Sequence, residues 1–282
     1  MLKVAITGSK GLIGSRIKEL LRQEIDFTEL ELPDFDITNR KHAINLIKDI
    51  DFDLFFHLAA YTNIDQAEKE KEKAYLINVQ GTKNVFDAVV EKKRKFIFVS
   101  TDFVFDGQHH PFYEESVPKP LSYYAKTKYE AEKLIKKQAM IVRFSYPYRA
   151  KHPSKPDFVK RICQDLEQKR QIYLITDSLM TPTFIDDIAF AMKYLFENFS
   201  TDIFHIVGTD SLSPYDAGKF IANAFNLDQT LLLKTSYLAY SKDKAIRPQY
   251  SEIKSRKNNF YKMRTFTEGI SEIKKQTMDV RS

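Results

Sequence analysis

Two tyrosines and two lysines crowd the stretch SYYAKTKY at 122–129, and one pairing among them is spaced for chemistry. On a helix Tyr124 lies one turn from Lys128, whereas Tyr123 meets Thr127 at the same offset. A phenol with a reference pKa of about 10 parts with its proton reluctantly at neutral pH, and a nearby lysine cation favours the tyrosinate. Tyr124 and Lys128 are therefore a candidate acid and its electrostatic partner. In a chain with 15 tyrosines and this much lysine the spacing also arises by chance, so the rest of the sequence must supply its context.

Three of the eight glycines fall in ITGSKGLIGSR, at Gly8, Gly11 and Gly14. The strand-like KVAIT precedes them and an amphipathic helical pattern begins among them, the context of a dinucleotide phosphate site. Glycines there permit a tight turn and close backbone approach, while free N–H groups at the helix start face a pyrophosphate. After the second strand, TELELPDFDI offers Glu29, Glu31 and Asp34 as carboxylates for the adenosine ribose, and Glu31 is the preferred one. A carboxylate at Glu31, followed by Leu32 and no arginine, tilts the expectation toward NAD over NADP. Asp36 and Ile37 could flank an adenine, one accepting from its amine and the other covering the ring.

These segments, with HLAAYTNIDQAE (57–68), INVQGTKN (77–84) and VSTDFVFDG (99–107), occur in the order of the extended short-chain dehydrogenase/reductases. The chain resembles the dTDP-4-dehydrorhamnose reductase branch of that family, clearly over the first 150 residues or so and more faintly through VRFSYPY, LMTPTFIDDIA and IRPQYSEI. The resemblance implies a catalytic triad of Thr101, Tyr124 and Lys128. It implies that Gly8, Gly11, Leu12, Ile13 and Gly14 line the pyrophosphate, and that Asp36 and Ile37 meet the adenine. Ala59, Ala60 and Tyr61 would border the ribose and phosphate, Asn78 would brace that loop, and Lys128 would hold the nicotinamide ribose. Thr62, Asp65, Phe103, Val104, Tyr146, Thr181 and Arg247 fall on the substrate side. Arg247 could grip a diphosphate with its guanidinium fork or lie solvated in the basic tail.

The implied reaction is NAD(P)H-dependent reduction of a nucleotide-linked 4-keto-6-deoxy sugar, with Tyr124 giving the proton and Thr101 polarising the carbonyl. A 4,6-dehydratase of the superfamily carries Asp-Glu directly after the threonine, and here Asp102 is followed by Phe103, which disfavours dehydration. An NAD-dependent 4-epimerase stays open, as does a binding subunit like the regulatory subunit of methionine adenosyltransferase. Two departures mark the substrate side: Tyr146 stands where the branch usually has tryptophan, and the last 60 or so residues match weakly.

The elements that must position these residues follow from the apolar pattern. KVAIT (3–7), TELEL (28–32), DLFFHLA (53–59), KFIFVS (95–100) and MIVRFS (140–145) read as strands, with helical patterns at about 12–23, 39–49, 71–91 and 124–138 between them. Such alternation predicts a doubly wound parallel α/β sheet, the Rossmann fold, over 1–149. Residues 150–282 lack the regular alternation and are expected to form mainly a smaller substrate-binding lobe with segments returning to the main sheet. There a helix is expected near 157–169, strands at 172–176 and 202–208, and a helix at 214–225 capped by Ser213 with Pro214 at its first position.

Composition narrows the function classes. At 282 residues, with 43% hydrophobic and 29% charged residues, the chain is expected to be a soluble protein with a large core. A net charge of +6 is spread through mixed runs such as KEKEK, so nucleic acid is not the expected partner, though an anionic substrate would be attracted. No long apolar run and no leader are apparent, pointing to the cytoplasm and away from membranes. The lone Cys163 reads as a structural thiol, and the six histidines lack metal spacing. The reading leaves room for a homodimer.

Overall fold

The computed structural model describes residues 1–154 and 156–278. Its strands are β1 (Leu2–Thr7), β2 (Ile25–Leu30), β3 (Leu54–His57), β4 (Lys95–Thr101), β5 (Met140–Phe144), β6 (Pro147–Tyr148), β7 (Ile172–Ile175), β8 (Leu179–Met180), β9 (Thr183–Phe184), β10 (Ile203–His205), β11 (Leu232–Thr235) and β12 (Tyr250–Ser251). The helices are α1 (Leu12–Leu21), α2 (Arg40–Asp49), α3 (Ile64–Lys69), α4 (Lys71–Tyr75), α5 (Thr82–Glu91), α6 (Tyr123–Ile135), α7 (Phe158–Glu167), α8 (Ile185–Glu197), α9 (Pro214–Ala224), α10 (Tyr237–Ser241) and α11 (Phe266–Met278). None of the described helices is long and apolar enough to cross a membrane.

Six strands form one parallel sheet in the order β2-β1-β3-β4-β5-β10. The chain runs outward from β1 to β2 and then crosses back to β3 on the other side of β1, so the order reverses between β1 and β3. A crevice opens outside the carboxyl ends of the strands at such a reversal. Register puts those ends together: Thr7 pairs with Leu30 and His57, and Thr101 with Phe144.

Both sheet faces are covered, which explains why β3 and β4 are almost continuously apolar. Val4, Ile6, Leu54, Phe56 and Val142 face α1 and α8, packing on Ile17, Leu21, Ile188, Met192 and Phe196. Ala5, Phe55, Phe96, Phe98 and Ile141 face the opposite layer, on Ala43, Ile47, Val85, Val89 and Ile135. Each buried phenylalanine stabilises the fold by about 1.5–3 kcal/mol relative to exposure. A separate core joins Val159, Ile162, Leu166, Ile221, Leu232, Phe266 and Ile270 from α7, α9, β11 and α11. Cys163 is buried in it, and burial pushes its thiol up to about 12.

Several boundaries differ from the sequence reading. The second strand was expected at 28–32 but runs Ile25–Leu30, because Pro33 cannot extend a ladder and Leu32 turns out to solvent. The single helix expected at 71–91 is α4, a π-helical turn at Leu76–Gly81, and α5. That turn carries Asn78, and π turns of this kind often sit at functional positions. In the second half β10 joins the main sheet and α8 covers one of its faces, with Arg16 on α1 held to Asp186 on α8 at 2.7 Å. Ser213 caps α9 by accepting from the Asp216 N–H, as its place before Pro214 predicts.

Candidate active site

The crevice is a cleft of about 1300 Å³. At one end the chain leaves β1 through Gly8, whose φ of +70° suits glycine and whose backbone lies so close to the next strand that a Cβ would come within 2.9 Å of the Leu58 carbonyl carbon. The Gly11 N–H closes the turn on the Gly8 carbonyl at 3.0 Å. Gly14 packs on that same carbonyl, and a Cβ there would sit 2.4 Å from it. Gly11 caps α1 with no side-chain acceptor, so the first N–H groups of the helix face the cleft unclaimed by a cap. Gly8, Gly11, Leu12, Ile13 and Gly14 all line it.

At the mouth, the Glu31 carboxylate accepts from the Ser9 N–H, while Glu29 accepts from the Ser9 hydroxyl at 2.6 Å and pairs with Lys18. Lys18 and Ser9 together hold the Glu29 carboxyl below its usual range. Glu31, Asp36 and Ile37 line the cleft. Asp36 also fixes its own turn, accepting from the Thr38 N–H at 2.9 Å and its hydroxyl at 2.7 Å, and Ile37 rests on Gly81. Lys10 lines the same mouth, a base that the sequence argument for NAD did not weigh.

The loop after β3 supplies Ala59, Ala60 and Thr62 to the wall, and its backbone is held from below. Asn78 accepts from the Tyr61 N–H at 2.7 Å, and its amide donates to the Tyr61 carbonyl at 3.1 Å and to the Thr127 hydroxyl at 2.9 Å. One fully buried amide thus ties the loop to α6. Beneath it, buried His57 lies between Thr7, at 2.7 Å, and Thr82, at 3.2 Å. Burial, reinforced by the charge of Lys128, drives its imidazole down to about 3, so it is neutral.

Ser122 caps α6 by accepting from the Ala125 N–H, and the first turn of the helix then carries Tyr124 into the cleft with Lys128 one turn on. Both are buried, at 9% and 3% exposure. Burial raises the Tyr124 phenol well above its ordinary value, aided by the Asp102 charge and eased by the neighbouring Thr101 hydroxyl. Burial lowers the Lys128 ammonium to about 7, with the Glu132 charge opposing, and its Nζ sits 4.0 Å from the centre of the Phe98 ring. Thr101 ends β4 on the same wall, its hydroxyl 3.0 Å from Asp102.

On the far side Thr62, Phe103 and Tyr146 line the cleft, Tyr146 at a φ of +39° that a bulky residue rarely adopts. Its ring stands edge-on to Phe103 at 6.0 Å. Four of the expected substrate-side positions, Asp65, Val104, Thr181 and Arg247, lie elsewhere. Val104 is buried with Phe105, Phe112 and Ile253, because the 3₁₀ turn at Asp102–Val104 points it inward. Thr181 is fully buried, bonded to Ser211 and to both backbone groups of Ile253. Arg247 is neither solvated nor in the cleft lining but pairs with Asp65 at 2.8 Å, closing residues 245–247 onto α3. Tyr61 and Asn78 likewise stay outside the lining, Tyr61 reaching Glu70 at 3.0 Å.

The sequence reading passed over Lys10, Lys73, Ser100, Asp102 and Arg161 in the cleft lining. Asp102 was visible only as half of an absent dehydratase pair, and the others carry no local signature.

The chain is similar over most of its length to known proteins. A family model described as RmlD substrate binding domain matches residues 2–278. The dTDP-4-dehydrorhamnose reductase of Aggregatibacter actinomycetemcomitans is 30% identical over 233 residues, 77% of this chain and 76% of that one. The probable low-salt glycan biosynthesis reductase Agl14 of Haloferax volcanii is 29% identical over 263 residues, 87% of each. Among solved structures, dTDP-4-dehydrorhamnose reductase from Bacillus anthracis in complex with NADP superposes with a TM-score of 0.90 at 30% identity, covering 98% of this chain and all of that one.

Proposed function

The chain belongs to the RmlD substrate-binding-domain family, and on that footing we propose that it is an NAD(P)H-dependent reductase of the 4-keto group of a nucleotide-linked 4-keto-6-deoxy sugar, similar in activity to dTDP-4-dehydrorhamnose reductase. The observation that carries the reading is one cleft with two chemistries: a glycine turn at a helix start, and Thr101, Tyr124 and Lys128 on the wall that leads from it.

The residues present fit a dinucleotide. Gly8 and Gly14 let the turn close tightly, since a Cβ at either would strike backbone atoms, and the buried Ser100 hydroxyl in the cleft lining has no protein partner. Gly8, Gly11, Leu12 and Ile13 would hold the pyrophosphate, Asp36 and Ile37 the adenine, and Ala59 and Ala60 the ribose and phosphate beyond it. Asn78 and Tyr61 would hold that loop in shape from outside. Because Lys10 stands with Glu31 at the mouth, the proposal is for NAD(P)H and drops the tilt toward NAD.

When bound, NAD(P)H supplies the hydride that reduces the C4 carbonyl carbon. Tyr124 gives its phenolic proton to the carbonyl oxygen, a transfer that burial alone opposes by holding the phenol protonated. A positive charge on Lys128 stabilises the tyrosinate left behind. Thr101 orients the acceptor oxygen, and Tyr146, Phe103 and Thr62 shape the sugar side. Phe103 follows Asp102 where elimination of water would need a second acid or base, so reduction is favoured over dehydration.

The test is NADPH and NADH oxidation with a panel of nucleotide 4-keto-6-deoxy sugars, with Tyr124→Phe alongside. Wild-type oxidation is expected, falling by a factor of about 100 or more in the variant. No oxidation with any sugar, or equal turnover by Tyr124→Phe, contradicts the assignment.

A further inference from the structure

Asp102 is an acid that the proposed reaction does not use, and its placement is unusual. The carboxyl is 3% exposed yet lines the cleft. The groups facing it are Thr101 and the Phe103 N–H from its own turn, Ser145 and Tyr146 from the segment after β5, and Tyr124 from α6. Ser145 donates to it at 2.9 Å, and the Thr101 hydroxyl lies at 3.0 Å. The hydrogen bonds from Ser145, Thr101 and the backbone N–H groups of its own turn offset only part of the cost of burying its charge, and no cation is among the strongest influences on it.

The Thr101 hydroxyl has one proton: it lies 3.0 Å from Asp102 and accepts from the Phe103 N–H at 3.3 Å, and it is near enough to Tyr124 to favour the tyrosinate. An ionised Asp102 can only accept, so it takes the Thr101 proton, and Tyr124 is left to donate toward Thr101, away from a substrate. A neutral Asp102 can donate to Thr101, which then donates to the Tyr124 oxygen and leaves the Tyr124 proton free to point into the cleft. The same bond stabilises the tyrosinate once that proton has gone.

We propose that Asp102 is a positioning residue whose neutral form sets the direction of the Asp102–Thr101–Tyr124 hydrogen-bond chain and so makes Tyr124 competent as a proton donor. Burial raises the Asp102 carboxyl to about 7, which keeps a large neutral fraction near neutral pH. Competence is full below that titration and declines as pH rises through it.

This inference rests on the reductase reading. The experiment is the single-turnover rate of NADPH oxidation with a nucleotide 4-keto-6-deoxy sugar from about pH 5.5 to about 9, for wild type, Asp102→Asn and Ser145→Ala. The asparagine amide can donate to Thr101 at every pH. The ratio of Asp102→Asn to wild-type rate should therefore rise about tenfold per pH unit above the Asp102 titration, whatever Lys128 does in both proteins. A ratio that is flat with pH, as a merely structural loss would give, overturns the proposal. Should Asp102→Asn fail to fold, Ser145→Ala decides: loss of its donated bond moves the alkaline limb to higher pH, and an unmoved limb overturns the proposal. A wild type that oxidises no NADPH defeats the reductase reading itself, and is distinguished by that from an active wild type with a flat ratio.

Discussion

Gly14→Ala probes the cofactor cradle without needing a substrate. Gly14 lies inside α1, where alanine would ordinarily stabilise the helix by about 1 kcal/mol. Here the new Cβ would stand 2.4 Å from the Gly8 carbonyl oxygen and 3.0 Å from the Ser9 Cα, both backbone atoms. Relief requires the Gly8 carbonyl to move by roughly 0.8 Å, given that non-bonded carbon contacts prefer more than 3 Å. That carbonyl accepts the Gly11 N–H, and Gly8 is itself pressed against Leu58, so the turn cannot shift alone. Overpacking of this kind costs about 1–3 kcal/mol, more than the helix gains. If about 2 kcal/mol of it falls on the pyrophosphate turn, NADPH affinity drops by about 30-fold. Fluorescence titration with NADPH measures this, and Gly218→Ala is the control. Its Cβ would crowd only the far end of the Leu174 side chain, at 2.4 Å, with Leu232 at ordinary contact distance, in the separate core around α9, so it should change stability and leave NADPH affinity within about twofold. Wild-type affinity in Gly14→Ala, or an equal loss in Gly218→Ala, would refute the account of the cradle.

Other expectations concern groups the structure buries. Glu132→Gln should destabilise the fold by about 3–5 kcal/mol in urea denaturation, because it leaves the fully buried Arg143 without its 2.6 Å carboxylate partner. Asp102 titrates higher in the folded protein than unfolded, so its contribution to stability is full below about pH 4 and lost as pH rises to about 7; Asp102→Asn should flatten the pH–stability curve in that window, by at most about 4 kcal/mol. Lys128 has the opposite sign, its contribution present above about pH 10.5 and lost as pH falls to about 7, and Lys128→Met should remove that slope in thermal melts. Asp65→Asn weakens a partly exposed pair, so unfolding should change by no more than about 1 kcal/mol; a larger loss would show that the closure of residues 245–247 matters to the whole fold.

What could be read from the sequence was local. Strand, glycine turn and helix are adjacent in the chain, and Tyr124 and Lys128 are one helical turn apart, so periodicity and turn chemistry placed them together. The groups that give these residues their properties come from far away. Asp102 meets Ser145 across 43 positions, Arg247 meets Asp65 across 182, and Asn78 reaches Thr127 across 49. No spacing rule joins such pairs; only the sheet order and the packing of α6 on it do. The same reason explains Val104, whose neighbour Phe103 lines the cleft while its own side chain turns into the core, and Thr181, which is bonded inward to Ser211 and Ile253. The edge of β2 was misplaced because its alternation runs on past Leu30, and Pro33 rather than hydrophobicity ends the pairing.

The central claim is hydride transfer to a sugar carbonyl with Tyr124 as proton donor. NADPH carrying deuterium at both C4 positions follows it directly: with a nucleotide-linked 4-keto-6-deoxy sugar, NMR of the product should show one deuterium at sugar C4 for each NADPH consumed, and Tyr124→Phe should lose that product. An epimerised sugar with no net NADPH consumption, a product without label at C4, or full labelling by Tyr124→Phe would contradict the account.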